Sequence, residues 1–417
     1  MTFPLTRDSI PVVGDADRSL TADSETAPAV LFTGFPGFLG SALLERVLAR
    51  GDGPVACLVQ PKYLDAARER AESIVSRVGG TDDWRGNADS DDWRGNADGG
   101  RTDPDGEHAA VHLFTGDITE PGLGLGGALG ENGSLATVRE VYHLAAVYDL
   151  GVDRALAEAV NVRGTEHVLD AAERLGVDRF HYVSTCYVSG RYEGTFTEAD
   201  LRDHGPFTNH YEATKHRAEV AVRDRMEAGF PATVYRPSIV VGDSRTGETD
   251  KFDGPYNLLR LLLAQPRPLA VTFTVPGASR SELNVVPRNF VVDAIAALSE
   301  REASVGETYQ LCDPDPLRVT AFVETLATAA DRRRTVRVPT TKRVARAGCR
   351  LLSRAGVSVD PATLDYLDHP TRYRCPRTRR ALDDCTGALA VPPFDAYADR
   401  LVEFVRDHPD RRDGPMA

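Results

Sequence analysis

The stretch Ala29-Val-Leu-Phe-Thr-Gly34-Phe-Pro-Gly37-Phe-Leu-Gly40 decides the fold of this chain. A short apolar run meets three glycines spaced three residues apart, and a helical pattern follows from Ser41 to Arg50. Glycine allows a tight turn and the close approach of a phosphate, and the N-terminus of a helix attracts anions. A strand, a glycine turn and a helix in this order therefore predict a binding site for a dinucleotide pyrophosphate.

Apolar runs typical of strands alternate with helical patterns through the first 245 residues. This alternation predicts an α/β fold with a Rossmann-type, doubly wound parallel sheet. The rhythm weakens after residue 245, where amphipathic helices and proline-rich connectors indicate a smaller, mostly helical substrate-side lobe. The predicted strands lie at 29–33, 55–59, 111–114, 140–144, 179–183 and 233–236, and the predicted helices at 38–50, 62–78, 153–175, 211–228, 319–330, 341–355 and 394–407.

The predicted domain organisation has three parts. Residues 1–28 are polar and acidic, lack the pattern of a secretory signal, and are expected to form a mobile tail. Residues 29–245 form the predicted dinucleotide-binding domain, and residues 246–417 form the substrate-side lobe. A polar, glycine-rich stretch at 79–110, which contains a tandem repeat of Asp-Asp-Trp-Arg-Gly-Asn-Ala-Asp, is expected to be a disordered insertion. A partner-binding loop is the alternative interpretation of that stretch.

The charge of the chain is unusual in sign, composition and distribution. The net charge is −13, and four of the 49 basic residues are lysines. An acidic, lysine-poor surface favours adaptation to high salt, although a genome rich in arginine codons would also explain the lysine deficit. Residues 331–380 differ from the rest, because they carry fourteen basic side chains and four aspartates.

Several classes of protein are not favoured by the sequence. The chain has no apolar run of about 18 residues, so no membrane-spanning helix is expected. The six cysteines form no CxxC pair and are interpreted as reduced thiols of a cytoplasmic protein. No metal-ligand spacing is present, and the arginines of 331–380 lack a nucleic-acid recognition motif.

The stretch Tyr211-Glu-Ala-Thr-Lys215 supplies the candidate acid. Tyrosine and lysine at i and i+4 share one helix face, and a nearby cation lowers the pKa of a phenol. Such a tyrosine can donate a proton to a developing alkoxide near neutral pH. Upstream, a predicted strand ends in the two hydroxyl residues Ser184 and Thr185, where doubly wound folds present reactive groups. We expect one of these hydroxyls to bond a substrate carbonyl.

These features resemble the extended short-chain dehydrogenase/reductases, and within them the branch of thioester reductase domains and fatty acyl-CoA reductases, the "male sterility" type. The resemblance covers residues 29–310 and becomes thin beyond them. It is carried by the glycine turn, Thr185, Tyr211-xxx-Lys215, Thr115-Gly-Asp117-Ile-Thr-Glu-Pro-Gly-Leu-Gly-Leu125, Tyr142-His-Leu-Ala145-Ala146, Asn161-Val-Arg-Gly164-Thr and Arg236-Pro-Ser-Ile-Val-Val-Gly242.

The resemblance implies a role for individual residues. Thr185, rather than Ser184, would be the active-site hydroxyl, with an offset of one left open; Tyr211 would be the acid; and Lys215 would tune Tyr211 and bond the nicotinamide ribose. Asp117 and Ile118 would meet the adenine, and Ala145 and Ala146 the adjoining ribose and phosphate. The predicted cofactor-binding set is Gly34, Gly37, Phe38, Leu39, Gly40, Gln60, Lys62, Asp117, Ile118, Ala145, Ala146, Lys215 and Pro237.

The residue after the second predicted strand bears on the choice of cofactor. An acid at this position suits the ribose 2′-hydroxyl of NAD, and many members of the resembled family have an arginine for the 2′-phosphate of NADP. This chain has Gln60, which is neither, with Lys62 two residues later. The prediction leans to NADP(H), and NAD stays open.

The resemblance implies reduction of an acyl thioester, bound to coenzyme A or a carrier protein, to an aldehyde or alcohol. Lys342, Arg346, Arg350 and Arg354 form one helical stripe that could receive coenzyme A phosphates, an acidic carrier or anionic lipid; alternatively, they pair with acids of the same chain. Peripheral membrane contact through 341–355 and a homodimer are further expectations. A nucleotide-sugar epimerase or dehydratase, a hydroxysteroid-type dehydrogenase and a non-catalytic nucleotide sensor are the alternative functions.

Overall fold

The computed structural model describes residues 12–13, 28–79, 110–202, 204–332, 334–354, 361–386, 389–409 and 411. The predicted insertion 79–110 lies outside these residues except for its two ends. Most of the predicted tail also lies outside them, but Val12–Val13 form a short strand that pairs with Leu113 and Phe114. Part of the tail therefore belongs to a sheet.

The strands and helices are numbered in chain order. The strands are β1 (Val12–Val13), β2 (Val30–Thr33), β3 (Val55–Val59), β4 (Val111–Thr115), β5 (Glu140–His143), β6 (Arg179–Val183), β7 (Thr195–Phe196), β8 (Ala232–Pro237), β9 (Ile239–Val241), β10 (Leu269–Thr274), β11 (Val285–Pro287), β12 (Thr308–Leu311), β13 (Arg334–Pro339) and β14 (Arg372–Tyr373). The helices are α1 (Phe38–Arg50), α2 (Leu64–Gly79), α3 (Arg154–Ala157), α4 (Gly164–Leu175), α5 (His210–Glu227), α6 (Pro255–Leu263), α7 (Arg288–Ser299), α8 (Val319–Ala329), α9 (Lys342–Arg354), α10 (Pro376–Thr386) and α11 (Ala398–Asp407).

The strands of the main sheet follow the order β1-β4-β3-β2-β5-β6-β8-β12. The pairs β1–β4, β4–β3, β3–β2, β2–β5 and β8–β12 are parallel. Parallel strands need crossover connections, which the helices between them provide. This arrangement confirms the predicted Rossmann-type α/β fold. Strand β12 follows residue 245 in the chain, so the sheet also draws on residues that the sequence assigned to the substrate-side lobe.

The chain divides into two compact units. The first contains residues 1–146 and 163–181, and the second contains residues 147–162 and 182–417. The predicted functional division near residue 245 stays a prediction.

The first unit contains the point at which the sheet changes direction. From β2 the chain winds outward to β3 and β4, and it then returns to β5 on the other side of β2. Dinucleotides bind at such a switch point, outside the carboxyl ends of the strands. Every residue of β2 and β3 is buried, and α1 buries Leu43, Leu44, Val47 and Leu48 on one face. Each such side chain stabilises the unit by roughly 1.5–3 kcal/mol.

The second unit contains α5 and three smaller parallel strand pairs, β7–β14, β9–β11 and β10–β13. One apolar cluster of this unit packs Tyr256 of α6, Phe322 of α8 and Leu401 of α11 together. Helices α8 and α11 match the predicted helices 319–330 and 394–407, whereas α6 was not predicted from the sequence.

The predicted helix 153–175 differs from the structure. It is interrupted by a π-helical turn, Glu158–Arg163, between α3 and α4. In that turn Asn161 points inward: its Oδ1 accepts from the backbone N–H of Val147 at 2.8 Å, and its Nδ2 donates to Thr214 Oγ1 at 3.0 Å. The π-helical turn thus carries a residue with long-range hydrogen bonds. The periodicity of the sequence does not reveal such bonds.

Among the described residues, no helix is both long enough and apolar enough to cross a membrane.

Candidate functional site

The glycine turn between β2 and α1 is shaped by contacts that exclude side chains. Gly34 has φ +88°, and a Cβ built on it would lie 2.8 Å from the backbone N of Ala145. A Cβ on Gly40 would overlap the carbonyl oxygen of Gly34. The N–H of Gly37 closes the turn on the Gly34 carbonyl at 3.0 Å. The turn therefore needs glycine, and it presents bare backbone at the N-terminus of α1, which fits a pyrophosphate.

Two of the predicted cofactor residues near β3 and β4, Gln60 and Asp117, meet in the structure. Gln60 Nε2 donates to Asp117 Oδ2 at 2.7 Å, and Thr119 donates to Asp117 Oδ1 through both its N–H and its hydroxyl at 2.8 Å. Ile118 is buried, and Lys62 Nζ lies 4.7 Å from the centroid of the Tyr63 ring. The structure thus brings Gln60 and Asp117 together in a fixed group of hydrogen bonds.

The turn after β5 lies against the glycine turn within the same unit. Ala145 donates its N–H to Thr33 Oγ1 at 3.3 Å, and the Thr33 hydroxyl is also hydrogen-bonded to His143 Nδ1 at 2.8 Å. Ala145 is half-buried and Ala146 is exposed. The close approach of Ala145 to Gly34 explains why a Cβ at Gly34 has no room.

Thr185 and Tyr211 lie close together in the second unit, where the Thr185 side chain favours the charged form of the Tyr211 phenol. Thr185 follows the end of β6, where its hydroxyl donates to the Pro237 carbonyl at 3.4 Å and accepts from the N–H of Tyr187 at 3.3 Å. Tyr211 lies in the first turn of α5, is 9% exposed, and meets the edge of the Tyr148 ring at a centroid distance of 4.8 Å. Thr185, Tyr211 and Pro237 are therefore brought together as a group.

The environment of Tyr211 differs from the prediction. Burial raises the pKa of its phenol well above the ordinary value; the Thr185 side chain opposes this rise, and the charges of Glu212 and Asp253 add to it. The prediction that a lysine cation lowers this pKa is therefore wrong in this structure. The i, i+4 spacing predicts that Tyr211 and Lys215 share one face of α5. Spacing does not reveal how far burial removes the phenol from water.

Lys215 is buried on the same helix and turns toward β6. Its Nζ donates to the Val183 carbonyl at 2.8 Å and lies 4.4 Å from the centroid of the Tyr182 ring. Burial lowers the pKa of Lys215 to about 7, although the charge of Glu219 opposes the shift. A lysine that loses its proton near neutral pH is a weak cation for tuning a neighbouring phenol.

Ser184 is held by a buried ion pair. Its hydroxyl donates to Glu219 Oε2 at 2.6 Å, and Arg236 Nη2 donates to Glu219 Oε1 at 2.6 Å. The Glu219 and Arg236 side chains have no solvent exposure. The Ser184 hydroxyl is therefore used inside this network, whereas the Thr185 hydroxyl contacts Tyr211. This difference favours Thr185 over Ser184 as the site hydroxyl.

The sequence did not indicate Tyr148 and its neighbours. Lys251 Nζ lies 3.1 Å from the centroid of the Tyr148 ring and 3.9 Å from Asp253 Oδ2, and the Asp253 carboxylate raises the pKa of Tyr148 further, beyond the effect of burial. These residues adjoin Tyr211 through the Tyr148 ring. The available signals were indirect: Tyr148 closely follows Ala145-Ala146, and Lys251 is one of four lysines.

The structure describes the side chains of two residues of the predicted basic stripe, Lys342 and Arg346, and both pair with aspartates. Lys342 contacts Asp368 at 2.7 Å and Asp365 at 3.4 Å, and Arg346 contacts Asp365 at 2.6 Å. The side chains of Arg350 and Arg354 lie outside the described residues. For Lys342 and Arg346, the structure favours the alternative in which the stripe pairs with acids of the same chain.

A sequence model of the NAD-binding family described as "Male sterility protein" matches residues 32–295. The match covers more than half of the chain. The chain belongs to this family. Membership in the male sterility family confirms the resemblance found in the sequence. It also confirms the interpretation as an NAD(P)-dependent oxidoreductase of the extended short-chain type.

One sequence relative and two solved structures are similar to this chain. One of the subunits of linear gramicidin synthase from Brevibacillus parabrevis is 26% identical over 306 residues, which are 72% of this chain and 5% of that protein. The chain thus spans a small part of the relative. The crystal structure of the terminal R domain from the myxalamid PKS-NRPS biosynthetic pathway has a TM-score of 0.69, 24% identity, and covers 97% of this chain and 94% of its own.

The third similar protein is the thiolation-reductase di-domain from an archaeal non-ribosomal peptide synthetase, a solved structure. It has a TM-score of 0.63 and 16% identity, and the likeness covers 93% of this chain and 76% of that one. At these identities the two solved structures show a shared fold.

Proposed function

We propose that this chain is an NAD(P)H-dependent reductase of acyl thioesters, with an aldehyde or alcohol as product. The observation that carries the proposal is the approach of the Thr185 hydroxyl to the Tyr211 side chain at the start of α5. Two adjacent hydroxyls beside a strand end can both turn their protons toward one carbonyl oxygen. Membership of the male sterility family supports the same interpretation.

The proposed substrate is an acyl group bound as a thioester to coenzyme A or to a carrier protein. The names of the similar proteins support this choice, since they include part of a peptide synthase, a terminal reductase domain and a thiolation-reductase di-domain. Docking through α9, peripheral membrane contact through 341–355 and a homodimer stay predictions.

The glycine turn would hold the pyrophosphate of the cofactor. Phe38, Leu39 and Gly40 open α1 directly after the turn, where backbone N–H groups lack helical partners. The Gln60–Asp117 pair would lie toward the adenine ribose, with Ile118 and Lys62 nearby in the chain. Lys62 supports the preference for NADP(H), because an ammonium attracts a 2′-phosphate and Gln60 does not repel it.

The chemistry proposed for the second unit follows from its hydrogen bonds. A bound nicotinamide supplies the hydride that the thioester carbonyl carbon accepts. Thr185 and Tyr211 would donate to the carbonyl oxygen and stabilise its developing negative charge. The raised pKa of Tyr211 keeps its proton in place at neutral pH until the oxygen takes it. The resulting hemithioacetal then loses the thiol, and the carbon–sulfur bond breaks to give the aldehyde.

The experiment that tests this proposal measures nicotinamide oxidation by the purified chain in potassium-rich buffer. NADPH and NADH are supplied separately with acyl-CoA esters, a carrier-bound thioester and the matching aldehydes. The variants are Tyr211→Phe and Tyr309→Phe. Tyr309 is the matched control, because it is also a buried tyrosine, but its hydroxyl bonds Ser304 outside the predicted site.

We expect thioester-dependent oxidation that falls at least a hundredfold in Tyr211→Phe and changes less than twofold in Tyr309→Phe; loss of a positioned proton donor costs about 10²–10⁴-fold. No oxidation with any thioester, beside activity on an alcohol or ketone, would contradict the proposal and favour the epimerase or dehydrogenase class. A higher kcat/KM with NADH would overturn the NADP(H) preference alone.

A further inference from the structure

Tyr366 lies beside the first turn of α5, although it is far from that turn in the chain. Its hydroxyl accepts a hydrogen bond from Asn209 Nδ2 at 3.0 Å and donates one to Glu212 Oε1 at 2.7 Å. Asn209 is the N-cap of α5 and accepts from the N–H of Glu212 at 2.9 Å. One hydroxyl therefore bonds the residues on both sides of the dipeptide His210-Tyr211 and closes the turn around it.

Glu212 is a buried carboxylate that needs these donors. It has no solvent exposure, and its second oxygen, Oε2, accepts from the N–H of Thr208 at 2.8 Å. A buried carboxylate is stable only when its oxygens are hydrogen-bonded. Tyr366 supplies the bond to Oε1, and Glu212 in turn supplies part of the electrostatic environment of Tyr211.

The segment that carries Tyr366 is itself anchored to the second unit. Arg191 donates to the carbonyl oxygens of Asp365 and Asp368, each at 3.1 Å, and Lys342 pairs with the Asp368 carboxylate at 2.7 Å. These bonds hold the backbone on both sides of Tyr366. The Tyr366 hydroxyl is therefore presented from a fixed segment.

The same segment also contacts the turn that holds Thr185. The Tyr366 ring meets the Tyr187 ring edge-on at a centroid distance of 5.0 Å. The N–H of Tyr187 donates to the Thr185 hydroxyl at 3.3 Å. Tyr366 thus contacts Glu212, which adjoins Tyr211, and Tyr187, which is hydrogen-bonded to the Thr185 hydroxyl.

We propose that Tyr366 is a positioning residue for Tyr211, acting through Asn209 and Glu212; the proposal rests on the proposed function of Tyr211. Tyr366 lies outside residues 32–295, the part matched by the family model. The C-terminal part of this chain therefore supplies an element that orients the proton donor. A small displacement of a reacting group lowers the rate of the chemical step more than it lowers binding.

The test compares Tyr366→Phe with Tyr373→Phe. Tyr373 is a matched control, because it is also buried and also meets the Tyr187 ring edge-on, at 5.5 Å. Its hydroxyl bonds Ser189 at 2.9 Å and not the first turn of α5. We expect Tyr366→Phe to lower kcat about tenfold with KM within twofold of the unaltered chain. We expect Tyr373→Phe to change both constants less than twofold.

A second variant and a second measurement guard against misfolding and inactivity. Asn209→Ser keeps an N-cap oxygen but removes the amide that donates to Tyr366, and we expect kcat to fall about threefold. Hydrogen exchange of the amides at 210–214 should be about tenfold faster in Tyr366→Phe than in Tyr373→Phe. This readout does not depend on catalysis.

The outcomes separate the two proposals. Equal exchange rates in Tyr366→Phe and Tyr373→Phe would overturn the positioning role whatever the activity of the chain, and equal kcat values would overturn it in an active chain. Unchanged kcat in Asn209→Ser would also overturn it. Retained activity in Tyr211→Phe would instead remove the proposed acid, while the exchange rates would still report whether Tyr366 holds the turn.

Discussion

At the scale of single residues, burial controls the chemistry of the candidate site. Tyr211 and Lys215 are both buried, and burial disfavours the charged form of each, so it raises the pKa of the phenol and lowers that of the amine. Tyr211 then keeps its proton near neutral pH, whereas Lys215 loses its proton as the pH rises through about 7. Tyr211 is suited to donating a proton, and Lys215 to donating hydrogen bonds in a dry environment.

The lowered pKa of Lys215 predicts a pH-dependent stability. The unfolded chain keeps this proton up to a pH near 10.4, whereas the folded chain loses it near pH 7. Folding therefore releases a proton between these values, and the free energy of unfolding rises with pH across this window. We expect Lys215→Met to be stabilised relative to the unaltered chain most strongly at pH 7, with an advantage that shrinks by up to about 1.4 kcal/mol per pH unit toward pH 10.

Urea unfolding at pH 7, 8 and 9 without added cofactor measures this difference. Lys62→Met, which replaces an exposed lysine, controls for the substitution itself. A free-energy difference between Lys215→Met and the unaltered chain that stays constant over this range would contradict the prediction.

At the scale of elements, the candidate site residues include two helix starts, one in each compact unit. The first turn of α1 has no side-chain cap, so its backbone N–H groups are presented by the glycine turn. The first turn of α5 is capped by Asn209 and holds the Glu212 carboxylate through Thr208 and Tyr366. The uncapped first turn of α1 suits an anion, whereas the capped first turn of α5 holds the Glu212 side chain in place.

The glycine turn predicts different costs at two glycines of similar backbone conformation. Gly34 and Gly51 have φ values of +88° and +76°, but a Cβ at Gly34 would collide with backbone and a Cβ at Gly51 would meet nothing within 4 Å. Gly51→Ala should cost about 1 kcal/mol of unfolding free energy, from the left-handed conformation alone. Gly34→Ala should cost more, and it should also weaken NADPH binding because the turn must move.

Chemical denaturation and NADPH fluorescence titration check these two expectations. Equal losses of stability in the two variants would show that the collision at Gly34 is relieved without cost. Unchanged NADPH affinity in Gly34→Ala would remove the turn from the proposed pyrophosphate site.

At the scale of the whole molecule, charge is the dominant property. The net charge is −13, and basic side chains concentrate in residues 331–380. Several of them pair with acids of the second unit: Arg374 contacts Glu282 at 2.8 Å and Arg377 contacts Glu307 at 2.6 Å. These ion pairs neutralise part of the positive charge of residues 331–380, and the chain as a whole keeps a net charge of −13.

The negative excess predicts stabilisation by salt. Screening shortens the reach of repulsion from about 8 Å at 0.15 M to about 3 Å at 1 M salt. We expect the thermal midpoint to rise by several degrees between 0.15 M and 2 M KCl, since repulsion among like charges destabilises the compact state. Scanning calorimetry measures the midpoint, and sucrose at matched osmolality controls for solute exclusion. A midpoint that falls with KCl would contradict adaptation to high salt.

The sequence by itself determined the fold class, the glycine turn and the family, because each depends on local spacing. Strands alternating with helices, glycines three apart and a tyrosine four residues before a lysine are patterns within one or two elements. These patterns can be recognised without knowing which distant residues are in contact. The predicted strands at 55–59 and 179–183 and the helix at 38–50 match β3, β6 and α1 for this reason.

The tertiary structure alone decided which groups meet across long stretches of chain. Glu219 engages Ser184 and leaves Thr185 to Tyr211, Tyr366 closes a turn 154 positions earlier, and burial sets the pKa of Tyr211. The cysteines behave in the same way: Cys186, Cys312 and Cys375 are scattered in the sequence, yet they meet in one buried cluster. Burial and long-range hydrogen bonds depend on how all the elements pack together, and no local pattern of residues encodes that packing.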